Sequence, residues 1–172
     1  MERDQALADF DRARAEWEAA FARVPDAALR YLKPGDDYSL GGLMVHVNWV
    51  LIHYGRVLEA MVAGGFTAVG PLDPPGEAKE AREAARRGLS TSERARSMAE
   101  MAALHNNALA AMSSLVATEW DRKCPVVYSP GEEPYDTSAG DVVGWLSDHY
   151  REHVSQTADL IEDWRTTTKA GG

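Results

Sequence analysis

The sequence predicts an all-α protein, a four-helix bundle with a long connection between its second and third helices. Four stretches repeat apolar residues at steps of three and four, the spacing of one helix face. Ala, Glu, Asp and Arg dominate, and β-branched runs that would favour strands are few. A chain of 172 residues is long enough to bury one substantial core. Residues 1–172 are therefore read as a single domain.

The first helix carries Leu7, Phe10, Arg14, Trp17, Phe21 and Val24 on one face. Arg14 interrupts that face, and its long stem lets the guanidinium reach water. Pro25 and Asp26 end the helix, and a loop through LKPGDDY follows. Ser39 is the expected N-cap of the second helix, the most apolar segment of the chain. One of its stripes holds Leu43, Val47, Val50, Tyr54, Val57 and Met61; the adjoining stripe holds His46, Trp49, His53 and Arg56.

Between Gly64 and Ser90 the composition changes. GGFTAVGPLDPPG is rich in turn formers, and EAKEAREAARRG reads as a short, charged, exposed helix. A connection this long can cross the end of a bundle and let the second and third helices run parallel. It can equally form a lid, which periodicity does not decide. Ser90 and Glu93 form a capping box that opens the third helix. Its face holds Met98, Ala102, His105, Leu109, Met112 and Val116, with the methionines as gap-filling core.

Residues Trp120 to Asp136 read as a loop with a short strand-like piece at Val126 to Tyr128. Tyr128 and Tyr135 either flank the mouth of a site or pack on the bundle end, and packing is the simpler expectation. The last helix covers about 137–164 and places Val142, Leu146, His149, His153, Gln156 and Leu160 on its inner face. Ser147, Asp148, Arg151, Glu152, Ser155, Asp159 and Glu162 form the opposite, solvated face, and RTTTKAGG is expected to fray.

Two imidazoles one turn apart on a buried face need partners, because an unpaired buried polar group costs about 1–3 kcal/mol. A divalent metal supplies one: His at i and i+4 aims two ring nitrogens at one point. Two core histidines bonded to neighbouring side chains are the plainer alternative. His46 and His53 lie two turns apart, roughly 10 Å along the axis, so a straight helix offers one of them at most as a third ligand. Spacing does not choose between them. His105 is a fourth inward histidine, expected as a satisfied core residue before a ligand.

Other function classes are disfavoured. With 18 basic and 27 acidic residues the net charge is −9, and no basic stripe for nucleic acid or an anionic membrane surface is present. No run reaches the roughly 18 apolar residues of a membrane span, and MERDQALADFDRAR lacks the apolar core of a signal peptide. A cytoplasmic protein is expected. Cys124 is the only cysteine, which excludes an internal disulfide; it is expected to be an incidental loop thiol before a catalytic one.

Two motifs carry a family resemblance. YSLGGLMVHVNW pairs Tyr38–Ser39 with His46, and WLSDHYREHVSQ sets His149 and His153 in H-x-x-x-H ahead of Gln156. Their order and placement on two helices resemble the DinB-like superfamily, over nearly the whole chain. That superfamily includes the bacillithiol and mycothiol S-transferases and the amino-terminal domain of mycothiol-dependent maleylpyruvate isomerase. The resemblance implies an up-down-down-up bundle and a divalent metal held by His46, His149 and His153, so it prefers His46 to His53. Zinc is the first expectation for that ion, with nickel or iron as alternatives.

Three imidazoles leave the metal an open position, the arrangement of catalytic rather than structural zinc. In the preferred reading a small-molecule thiol binds there and its thiolate attacks an electrophilic substrate. A hydrolase using metal-bound hydroxide is the alternative, and a non-catalytic metal-binding bundle is the third reading. His53 and His105 are weak candidates for a catalytic base. Asp148 and Glu152 face away from the helix seam and are not. Arg56 is a candidate partner for a cosubstrate carboxylate, with a surface acid as its simpler partner. Gln156 is placed to orient a ligand imidazole. A homodimer is a further expectation, since such bundles commonly pair.

Overall fold

The four periodic stretches form four long helices in a computed structural model that describes residues 2–170. In chain order the helices are α1 (Arg3–Phe21), α2 (Gly42–Ala63), α3 (Glu77–Arg87), α4 (Thr91–Ser113), α5 (Ala117–Trp120) and α6 (Ala139–Ala170). A hairpin of β1 (Cys124–Val126) and β2 (Tyr135–Thr137) precedes α6. The bundle helices are α1, α2, α4 and α6, so the predicted third and fourth helices correspond to α4 and α6.

Side-chain neighbours give the directions. Asn48 of α2 donates to the Ser97 carbonyl of α4 at 3.0 Å, while Leu58 shares a recess with Ala108 and Ala111 farther along both. These helices run parallel, as the long connection requires. Phe10 stacks on His105 and Arg94 sits over Phe21, so α1 runs against α4. Tyr54 faces Trp145 and His46 faces His153, so α2 runs against α6. Phe10 meets Tyr150 and Trp17 meets His153, which sets α1 parallel to α6. The order is up-down-down-up. Phe10, Trp17, Phe21, Leu43, Met44, Met61, Met101, Met112 and Tyr150 fill the centre. Each such side chain contributes about 1.5–3 kcal/mol by leaving water.

Ser39 joins α2 to α3. Its Oγ accepts from the Gly42 N–H (3.0 Å), its carbonyl accepts from Leu43 (3.0 Å), and its hydroxyl donates to the Ala85 carbonyl (2.9 Å). The N-cap of α2 is Gly41 rather than the expected Ser39; the buried serine, two residues earlier, binds the first N–H groups of the helix and anchors the C-terminal half of α3. The Ser90–Glu93 capping box forms as the sequence suggests. A second, Ser138 with Asp141, opens α6: Ser138 N–H donates to the carboxylate (2.8 Å) and Asp141 N–H to Ser138 Oγ (3.1 Å).

Several local expectations are corrected. RTTTKA continues α6, its threonine hydroxyls donating back to the carbonyls of Glu162, Asp163 and Trp164; the final two glycines lie outside the described residues. The strand begins at Cys124, which is 1% exposed and paired with Thr137, so it is a core residue rather than a loop thiol. Helix α4 ends at Ser113, leaving Val116 exposed, and its most buried face is Ser97, Met101, His105, Ala108 and Met112. Ser147 is buried, its hydroxyl donating to the Val143 carbonyl at 2.9 Å; back-bonding to the helix lets serine sit there. Among the described residues no helix is long and apolar enough to cross a membrane.

The junction of α2 and α3 admits no side chain at Gly42: an added Cβ would lie 1.6 Å from the Ala85 carbonyl oxygen. Gly42→Ala is expected to lower stability by about 1–3 kcal/mol in urea titration. Gly55→Ala on the same helix, with open space around it, is expected to raise stability by about 0.5–1 kcal/mol.

Candidate metal centre

Antiparallel packing of α2 on α6 brings His46 to the His149–His153 pair. The three ring centroids are 4.4, 4.9 and 5.2 Å apart, and each pair is edge-on. One nitrogen from each ring can be chosen so that all three lie within 4.8 Å of one another. His149 Nε2 and His153 Nε2 are 3.2 Å apart. Two Zn–N bonds at a tetrahedral angle span about 3.3 Å, so this pair already has the spacing of two ligands on one ion.

The protonation pattern suits a cation. Gln156 Oε1 accepts from His153 Nδ1–H at 2.8 Å, which leaves the His153 Nε2 lone pair facing His149. Burial, and then the nearby His153, push His46 down to about 4. Burial first, then His153 and His46, push His149 to about 3. Burial also lowers His153. At neutral pH all three rings are uncharged, the form in which imidazole binds metal. Tyr38 stacks on His46 at 4.3 Å and walls that side of the cluster. The donor set therefore fits one divalent ion.

His149 opens on a cleft of about 460 Å³ lined by Trp49, Val50, His53, Tyr54, Tyr128, Trp145, Asp148, His149 and Glu152. His53 is in the cleft but outside the cluster; the Trp49 ring lies between it and His46, with centroids 5.7 and 6.4 Å away. Its Nδ1–H donates to Asp73 Oδ2 at 2.6 Å. Asp73 also accepts from Arg56 (3.0 Å), whose other bonds fork onto Glu77. Arg56 is thus engaged by two acids of the connection, which already balance its charge. Asp148 and Glu152, expected to face away, are exposed yet stand on the rim of this cleft. The helix axis sets the direction of their Cβ, but the cleft is wide enough to reach past the seam.

His105 is a core residue, not a site residue. It is fully buried against Phe10, its Nε2–H donates to Asp11 and its Nδ1 accepts from Tyr150, both at 3.2 Å. Burial, then the Arg14 charge, hold it down at about 4. Tyr128 lines the cleft, and Tyr135 packs on Trp145 at 6.0 Å. Sequence reasoning missed Asp73 altogether. It lies in the turn-rich PLDPPG, where no periodicity ties a loop carboxylate to a helix histidine. Trp145 was also missed, although it lies on α6 one residue before Leu146 of the inner face and one turn before His149.

The model of the DinB superfamily matches residues 9–157. No curated protein sequence matches the chain. Among solved structures, YfiT from Bacillus subtilis superposes with a TM-score of 0.71 at 14% identity, covering 95% of this chain and 87% of that one. That protein is described as a probable metal-dependent hydrolase with an unusual four-helix bundle topology. At this identity the likeness speaks for the fold.

The depressed histidines give the metal-free protein an acid-labile fold. Unfolded histidine titrates near 6.5, while His46 and His105 titrate at about 4 in the folded chain. Between those values the unfolded chain binds more protons, so stability falls as pH drops from about 6.5 toward 4. The urea midpoint in chelator is expected to be lower at pH 5 than at pH 7, a range in which ordinary carboxylates stay largely ionised.

Proposed function

The chain belongs to the DinB superfamily, and on that premise we propose that it is a metal-dependent S-transferase that joins a small-molecule thiol to an electrophilic substrate. The carrying observation is the cluster itself: nitrogens of His46, His149 and His153 within 4.8 Å of one another, beside a cleft large enough for a substrate. A divalent ion there, zinc before nickel or iron, would supply Lewis acidity that lowers the pKa of a thiol or water.

The chain's own residues account for the rest. Burial keeps the three imidazoles unprotonated, and Gln156 fixes the ring of His153. With Nδ1–H committed to Asp73, His53 keeps an Nε2 lone pair that can take the proton of an incoming nucleophile and return it to a leaving group. Arg56 holds Asp73 in place for that task. Cys124 is buried and burial raises its thiol pKa, so the nucleophile comes from solution. The Tyr38–Ser39, His46 and His149–His153 motifs favour the thiol over water through their resemblance to the superfamily's transferases.

Hydrolysis is the second reading. The His53–Asp73 pair suits it equally, because it can accept a proton from water, and the description of YfiT favours it.

Elemental analysis is expected to find about one divalent ion per wild-type chain and none in His149→Ala or His153→Ala. His53→Asn is expected to retain the metal and lose turnover by about 10²–10⁴-fold. Incubating the loaded protein with bacillithiol, mycothiol or glutathione and an electrophile is expected to yield a thioether. Thiol-independent turnover of esters or amides would select the hydrolase, and bound metal with neither activity would leave a binding bundle.

A further inference from the structure

The walls of the cleft specify what they accept. Tyr54, Tyr128 and Trp145 meet edge-on or tilted with centroids 6.0, 6.0 and 6.2 Å apart, an aromatic wall drawn from two helices and the hairpin loop. Trp49 lines the cleft beside His149, its faces taken by the stacked rings of His46 and His53, while Tyr54, Tyr128 and Trp145 are half-buried around the cleft. Tyr135, 58% exposed, extends the wall outward over Trp145. Such rings bind flat apolar groups by stacking and cations by their negative faces.

The charges point the same way. Two carboxylates, Asp148 and Glu152, stand on the rim, and among the described residues no lysine or arginine lines the cleft. The nearest guanidinium of the cleft's own helix, Arg56, is held by Asp73 and Glu77. An anion entering here would meet acid at the rim and find no cation on the walls.

We infer that the cleft takes a flat aromatic substrate that is neutral or cationic and that it rejects anionic ones. This inference rests on the reading of the cleft as the substrate site beside the metal. It concerns the walls, so it can be tested without the metal.

Three ligands of one shape differ only in charge: (2-naphthylmethyl)trimethylammonium, 2-naphthylmethanol and 2-naphthoate. Calorimetric titration into full-length, metal-free protein at low salt is expected to rank them in that order, with naphthoate at least about tenfold weaker than the cation. Trp145→Ala is expected to weaken the cation and the alcohol by about tenfold. The double variant Asp148→Lys/Glu152→Lys changes only exposed side chains and is expected to reverse the ranking of cation and naphthoate. Equal or tighter binding of naphthoate to the wild type would overturn the inference, as would an unchanged ranking in the double variant. A chain that binds no metal yet shows the expected ranking would sink the enzyme reading alone. A chain that is active when metal-loaded but whose metal-free form prefers naphthoate would sink this inference alone.

Discussion

One constraint governs the molecule: three imidazoles must be buried together without carrying charge. A bundle interior disfavours a protonated ring, and three such rings side by side disfavour it further. The structure meets the constraint by depressing all three histidines and by giving His153 a hydrogen-bonding amide from its own helix. Lone pairs then converge where a bundle would ordinarily place leucines. The antiparallel seat of α2 on α6 is the arrangement that here sets His46 opposite the pair on α6.

Around that centre the connection between α2 and α4 acts as a fastened strap. Ser39 and the bare backbone of Gly42 clamp it near Ala85, and Arg56 holds its other end through Asp73 and Glu77. The second attachment is shared with the cleft, since Asp73 orients His53 as well. Scaffold and chemistry therefore meet in one loop carboxylate.

Most of the fold was legible in the sequence because helix faces repeat at fixed steps, and steps survive without knowledge of partners. The direction of α4 was legible from the length of the connection. The pair His149 and His153 could be read from spacing, whereas the choice of His46 over His53 needed the family resemblance. What stayed hidden depends on contacts between distant segments. Asp73 meets His53 across 20 residues, and Asp148 and Glu152 reach the cleft only because α2 and the hairpin leave it open on their side. The fate of the threonine-rich tail was hidden for a different reason: helix propensity is a weak guide residue by residue, and α6 continues through the threonines with their hydroxyls bonded back to its carbonyls.

The parallel pairing of α1 with α6 bears on how the chain assembles. Asp9 and Arg151 bond across 142 positions, and they belong to the interface that joins the two ends of the bundle. Ordinary hairpin bundles gain most of their contacts between successive helices and collapse quickly. Here the closure entropy of nearly the entire polypeptide must be spent before α6 docks. Closing α6 onto the bundle carries the His149–His153 pair, already one turn apart on one helix, against His46 of α2, so the three-nitrogen set exists only once distant parts of the chain have met.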